Sequence, residues 1–64
     1  MYQPISQIKK LAIKGFRIVV EDCLANVIRE WDGERFVTIK HFQKKHTMHR
    51  EMKRLLHDVN TIRG

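Results

Sequence analysis

The Asp32-Gly33 pair constrains the fold of this chain more than any other part of its sequence. It separates two runs rich in β-branched and aromatic residues, Leu24 to Trp31 and Glu34 to Phe42. An Asp-Gly pair in this setting is a strong hairpin signal, because both turn residues must adopt positive φ. The sequence therefore predicts two antiparallel strands joined by a two-residue turn.

A two-residue turn fixes which residues lie opposite one another. The predicted pairs, outward from the turn, are Trp31 with Glu34, Glu30 with Arg35, Arg29 with Phe36 and Ile28 with Val37. The residues predicted to share the core face are Leu24, Ile28, Val37 and Ile39. The opposite face then exposes Arg29, Trp31 and Phe36 as a patch for a protein partner. A one-residue error in strand phase would exchange the two faces.

Two helices and a further strand flank this hairpin in the predicted order. Ile5, Ile8, Leu11 and Ala12 recur at helical spacing, which predicts a helix over residues 5–14 that ends at Gly15. Residues 16–20 alternate as a strand does, and a turn is expected over residues 21–23.

The C-terminal helix is predicted from one long apolar stripe. Thr47 is a fair N-cap for it. The stripe follows helical spacing through Met48, Met52, Leu55, Leu56, Val59 and Ile62. The fold class predicted from these elements is α+β with the order αβββα. Residues 1–64 would form a single domain, a three-stranded antiparallel sheet with two helices packed on one face.

Charge is distributed unevenly along the 64 residues, whose formal net charge is +6. Residues 1–20 carry four basic residues and no acid, residues 21–34 carry five acids and one arginine, and residues 35–64 carry eight basic residues and two acids. This polarity predicts a basic side that meets phosphate and an acidic end that is turned away from it.

The candidate nucleic-acid-binding residues lie on the two helices and the loop before the second. They are Lys9, Lys10, Lys14, Lys40, Lys44, Lys45, His46, His49, Arg50, Lys53 and Arg54. A basic loop that feeds a helix N-terminus favours phosphate. We therefore expect non-catalytic binding to the phosphate backbone of double-stranded or structured RNA, selective for shape rather than sequence. DNA remains an alternative ligand.

Four segments resemble the HicA-type toxins, the RNA-cleaving half of HicA–HicB toxin–antitoxin pairs. They are "LAIKGFRIV", the nineteen residues from Gly15 through Asp32-Gly33, "RFVTIKH" and "HREMKRLL". The resemblance implies a fold like that of double-stranded-RNA-binding domains. The family's catalytic histidine lies in a Gly-Ser-His segment, but Cys23-Leu24-Ala25 stands at that place here. The proline that commonly follows the family's third strand is also absent. The resemblance thus implies a silent copy that keeps its RNA-facing charges and that can engage an antitoxin.

Other chemistry finds little support in the sequence, so no catalytic residue, metal or cofactor is predicted. His46 and His49 supply two of the about four ligands that zinc requires. His41, beside Lys40, lacks a second acid/base group opposite it. Cys23 follows two acids that oppose its thiolate.

Several alternatives stay open at this point. One is a small inhibitor or regulator of a host protein, of phage or mobile-element type. Another is an active HicA-type ribonuclease, and a homodimer through the aromatic patch or an edge strand is a further expectation. A single cysteine and the lack of a long apolar run favour a cytoplasmic protein without membrane contact.

Overall fold

The structure is a computed structural model that describes residues 3–64. Its elements are α1 (Ile5–Ile13), β1 (Arg17–Asp22), β2 (Val27–Trp31), β3 (Phe36–His41), α2 (Lys45–Leu55) and β4 (Thr61–Arg63). The α+β class is confirmed. The predicted three-stranded sheet is incomplete, because β4 adds a fourth strand to it.

The four strands form one mixed sheet in the order β3-β2-β1-β4. β2 is antiparallel to both β1 and β3, as predicted, and β4 runs parallel to β1. β3 therefore also runs parallel to β4, and α2 forms the crossover between them. The chain enters β4 through a turn in which the Asp58 side chain accepts the N–H of Asn60.

The first helix agrees with its prediction to within one residue at its end. Gly15 has φ +99°, and its N–H donates to the carbonyl of Ala12. The N–H of Phe16 donates to Leu11, which closes the last turn of α1. A residue with left-handed φ at this position lets backbone N–H groups reach carbonyls of the last helical turn that would otherwise have no donor.

The second helix differs from its prediction at both ends. It begins at Lys45 with Lys44 as N-cap, and Thr47 lies inside the first turn, where no side chain caps the helix. It ends at Leu55 rather than continuing to Ile62, because the turn at Asp58 redirects the chain into β4. Val59 consequently lies exposed in that turn.

The prediction that both helices pack on one face of the sheet is wrong. Ile18 packs with Ile8 of α1, whereas its neighbour Val19 packs with Met48 and Met52 of α2. Successive side chains of a strand point to opposite faces. The two helices therefore cover opposite faces, and β1 is buried between them.

The β1–β2 connection lies later in the chain than predicted. Glu21 and Asp22 belong to β1, and the turn follows at residues 23–26. The Asp22 carboxylate accepts the N–H groups of Leu24 and Ala25, and Asn26 adopts φ +53°. This side-chain acceptor fixes the start of the turn.

The β2–β3 hairpin has a four-residue loop instead of the predicted two-residue turn. The Asp32 carboxylate accepts the N–H groups of Glu34 and Arg35 at 2.8 and 2.9 Å. Trp31 therefore pairs with Phe36, and the predicted pairing of Trp31 with Glu34 is wrong. A bulge later shifts the register again, between Thr38 and Lys40 of β3.

The predicted aromatic patch is not exposed, because α1 covers the face of the sheet that carries Trp31 and Phe36. Trp31 is only 8% exposed and meets the Phe36 ring edge-on, with 5.2 Å between the ring centroids. The predicted core residues Val37 and Ile39 are instead exposed, as is Leu24. Because each face carries a helix, Arg29, Trp31 and Phe36 face the α1 side rather than solvent, and Arg29 pairs with Asp22 at 2.6 Å.

Candidate nucleic-acid interface

The solvent side of α2 is cationic along its whole length. Met48 and Met52 mark the buried stripe of this helix. The residues at helical positions opposite that stripe are His46, Arg50, Lys53 and Arg54, and all four are exposed. None of them is acidic, so this outer face of α2 presents one sign of charge to solvent.

Glu51, the one acid of α2, lies at the side of the helix and is already engaged. Its carboxylate accepts hydrogen bonds from Nε and Nη2 of Arg54, each at 2.7 Å, and Lys40 Nζ lies 3.6 Å away. The Arg54 hydrogen bonds lower the pKa of Glu51 to about 2, with a further contribution from Lys40. Arg50 and Lys53, by contrast, make no ion pair among residues 3–64.

Two further lysines lie at the N-terminal end of α2. Lys44 is the N-cap residue and Lys45 is the first residue of the helix, whose first turn contains neither an acidic residue nor a capping side chain. Lysines at this end oppose the helix dipole, which lacks an anion there to balance it. The predicted basic loop and helix start are thus adjacent, as phosphate binding requires.

His49 serves as a link between α2 and the sheet. Its Nδ1 lies 2.6 Å from the Glu21 carboxylate on β1, and Arg63 of β4 donates to the other oxygen of that carboxylate. Burial raises the pKa of Glu21, but the hydrogen bonds from Arg63 and His49 outweigh it and lower that pKa overall. This predicted phosphate contact is therefore occupied within the chain.

The predicted binding residues fall into two separate groups. Lys9, Lys10 and Lys14 are exposed on and just after α1. They lie on the opposite side of the sheet from the outer face of α2, because the two helices cover opposite faces. The structure does not bring the two groups together on one surface.

The acidic end and the basic end of the hairpin lie at opposite ends of β3. Asp32 and Glu34 occupy the turn before β3, and Lys44 and Lys45 follow after it. Backbone N–H groups of Arg35 and Glu34 lower the pKa of the Asp32 carboxyl. A six-residue strand spans roughly 20 Å, so the two charges are well separated.

The remaining candidate groups lie apart from one another. His41 lies on β3, His46 on α2 and Cys23 in the exposed β1–β2 turn. Within residues 3–64, no cluster of three or more metal-ligating side chains is present. In the same range no helix is both long enough and apolar enough to cross a bilayer.

Sequence reasoning missed the acids that organise this region. Glu51 and Arg54 are three residues apart on a helix, so their pairing was available as a local signal. Glu21 and Arg63 are 42 residues apart, and their pairing depends on β4. The sequence did not predict β4, because the apolar spacing through Ile62 indicated a helix there.

The comparisons with known proteins give no family for this chain. A scan against protein-family models finds no match, and the searches of curated proteins and of solved structures find none either.

Proposed function

We propose that this chain binds the phosphate backbone of double-stranded or structured nucleic acid through α2, with RNA as the preferred ligand. The observation that carries the proposal is the outer face of α2, where His46, Arg50, Lys53 and Arg54 stand without an acid among them. The acid nearest to this face is neutralised by Arg54 and Lys40.

The side chains on this face are suited to contacts with phosphate. Arginine and lysine neutralise phosphate and release counterions, which makes affinity depend on salt. The face offers no asparagine or glutamine to pair with adenine. Binding should therefore depend mainly on backbone contacts. Lys44 and Lys45, at the N-terminal end of α2, extend these contacts beyond the outer face.

The proposed preference for RNA over DNA rests on the resemblance to HicA-type toxins. Proteins recognise A-form duplexes mainly through shape and backbone contacts. A short cationic helix that presents arginine and lysine to the backbone fits that mode of recognition. α1 does not take part in the same contact, because Lys9, Lys10 and Lys14 lie on the opposite side of the sheet.

Fluorescence anisotropy with labelled RNA and DNA duplexes tests this proposal. Arg50→Glu with Lys53→Glu reverses two charges on the outer face of α2. Lys10→Glu with Lys14→Glu makes the same change in net charge on the α1 side. We expect the first pair to lower affinity at least about tenfold more than the second, because contact charges outweigh distant, screened ones.

Two outcomes would overturn the assignment. Equal losses in both double variants would mean that net charge, rather than the outer face of α2, drives binding. A lack of binding by the unmodified chain at about 50 mM salt would remove the nucleic-acid function itself. A gel of the same samples reports whether the RNA stays intact, since cleavage would replace the non-catalytic proposal with a ribonuclease.

A further inference from the structure

β3 lies at one edge of the sheet. It pairs with β2 on one side only, and all of its residues except Phe36 are exposed. Val37 and Ile39 are 37% and 44% exposed, which places apolar side chains along this edge. The opposite edge, β4, has only three residues. Long apolar edges are the sites at which sheets associate.

The backbone groups that β3 leaves free follow from its ladder with β2. The N–H of Asp32 donates to the carbonyl of Arg35 just beyond the pair of Trp31 and Phe36. Bonded and non-bonded pairs alternate along an antiparallel ladder. Phe36 and Thr38 therefore belong to non-bonded pairs, and their N–H and C=O groups point away from β2.

The charges at the two ends of β3 make this edge complementary to itself. Asp32 and Glu34 lie in the turn before the strand, and Lys40, Lys44 and Lys45 lie at its end or beyond. Antiparallel pairing of two copies sets the acidic end of each beside the basic end of the other. Parallel pairing would bring like charges together, which is destabilising.

We propose that β3 pairs antiparallel with β3 of a second copy, with Val37 on the two-fold axis. In this register Phe36 lies opposite Thr38 of the second copy, and their outward groups make four backbone hydrogen bonds across the axis. Two Val37 side chains meet on the α2 side of the sheet. The bulge at Ile39 bends the strand beyond Thr38 and limits the ladder to this central segment.

The resulting dimer is a continuous eight-stranded sheet with closed two-fold symmetry. The axis is perpendicular to the sheet, so both α2 helices lie on the same side. If the proposed function holds, the dimer presents two phosphate-binding faces together and gains affinity through their linkage. The pairing itself does not depend on that function. Because a short ladder buries little area, we expect a weak, concentration-dependent dimer.

Sedimentation equilibrium over a concentration series from about 1 µM to about 1 mM tests the pairing, since this range spans weak association. We expect the average mass to rise from one chain toward two. Val37→Lys places two ammonium groups at the axis and should keep the chain monomeric. Val59→Lys makes the same change at an exposed residue outside β3 and should associate like the unmodified chain.

Thr38→Pro provides an independent test should Val37→Lys fail to fold. It removes an N–H that the ladder with β2 does not use, and proline is tolerated at such edge positions. Circular dichroism checks that each variant keeps its fold. An unmodified chain that stays monomeric throughout overturns the proposal, and so does a Val37→Lys or folded Thr38→Pro variant that still dimerises. Anisotropy with RNA on the same samples reports binding separately, so dimerisation and the proposed function can fail independently.

Discussion

Ile18 and Val19 are adjacent on β1, yet they belong to two different hydrophobic cores. Ile18 packs with Ile8 and Trp31 on the α1 side, and Val19 packs with Ile28, Met48 and Met52 on the α2 side. The sheet separates the two clusters. The chain thus divides a small amount of apolar surface between two thin cores, and the two central strands, β1 and β2, each contribute to both.

The separation of the cores predicts that mutations on opposite faces act independently. Ile8→Val and Ile28→Val each remove one methyl group from a fully buried side chain, and each should lower the free energy of unfolding by about 1 kcal/mol. Sites without shared partners add to within about 0.5 kcal/mol. Urea unfolding of the single and double variants measures this sum.

Two mutations within one core provide the comparison with the pair on opposite faces. Val19→Ala with Ile28→Val changes two side chains of the same cluster, and their effects should couple by at least about 0.5 kcal/mol. Equal coupling in both pairs would contradict the description of two independent cores.

The sequence predicted the hairpin but not its register, and the reason lies in Asp32. A two-residue turn leaves the strands to pair directly beyond Gly33. Here the Asp32 carboxylate binds two backbone N–H groups and holds Glu34 and Arg35 inside the loop. Neither preference is visible in strand periodicity. The loop moves the pairing by two residues, which leaves each side chain on its predicted face. Trp31 and Phe36 were expected to be exposed because the pattern does not show that α1 covers their face.

Asp32 therefore also provides a direct test of how the loop is held. Asp32→Ala removes both hydrogen bonds and should lower the melting temperature. Asp32→Asn removes the same charge but keeps an oxygen acceptor, so it should cost less. Thermal unfolding of the two variants compares them. Equal losses would mean that the charge of Asp32, and not its hydrogen bonds, supports the loop.

The candidate interface was predicted in part, because helical periodicity is a local property. Arg50, Lys53 and Arg54 were identified from the pattern that also placed Met48 and Met52 inside. The same pattern wrongly extended through Val59 and Ile62, since Ile62 happens to continue the spacing. The relative position of the helices is a long-range property that a 3.6-residue period does not encode. The sequence therefore does not show that the lysines of α1 and the outer face of α2 lie on opposite sides of the sheet.

Gly64 lies where a side chain would not fit. Its N–H donates to the carbonyl of Val19 at 2.9 Å. A Cβ at this position would lie 2.9 Å from Ile18 Cγ2, 3.0 Å from Val20 Cγ1 and 3.1 Å from Phe36 Cζ. Gly64→Ala should therefore cost about 1–2 kcal/mol of stability through overpacking.

The background variant Val20→Ala tests this cause. It removes one of the three crowding atoms, so Gly64→Ala should cost less in that background than in the unmodified chain. Chemical denaturation of the unmodified chain, the two single variants and the double variant measures the coupling free energy between positions 20 and 64. An identical cost in both backgrounds would show that crowding against Val20 is not the source.

The Glu51–Arg54 pair predicts a loss of stability in acid. The pKa of Glu51 falls from 4.5 to about 2 in the folded chain. A lowered pKa stabilises the folded state above pH 4.5, and this contribution is lost as the pH falls through about 2. Glu51→Gln should abolish this part of the acid dependence, so the melting temperatures of the two chains should converge between these values.

Glu34→Gln makes the same chemical change at an exposed residue of the β2–β3 loop and corrects for net charge. The melting temperature of each chain is measured at several pH values across the window. A difference between Glu51→Gln and the unmodified chain that stays constant down to about pH 2 would contradict the role of ionisation in this pair.

The outer face of α2 predicts a specific salt dependence of binding. If about three cations on this face meet phosphates, the logarithm of the affinity should fall with the logarithm of salt concentration with a slope of about −3. Arg50→Ala or Lys53→Ala should each reduce that slope by about 1, because each removes one phosphate contact. Lys10→Ala, on the other side of the sheet, should leave the slope unchanged. Anisotropy titrations between about 50 and 200 mM salt measure the slopes of the unmodified chain and the three variants. If Lys10→Ala reduces the slope as much as Arg50→Ala does, both helices contact the nucleic acid.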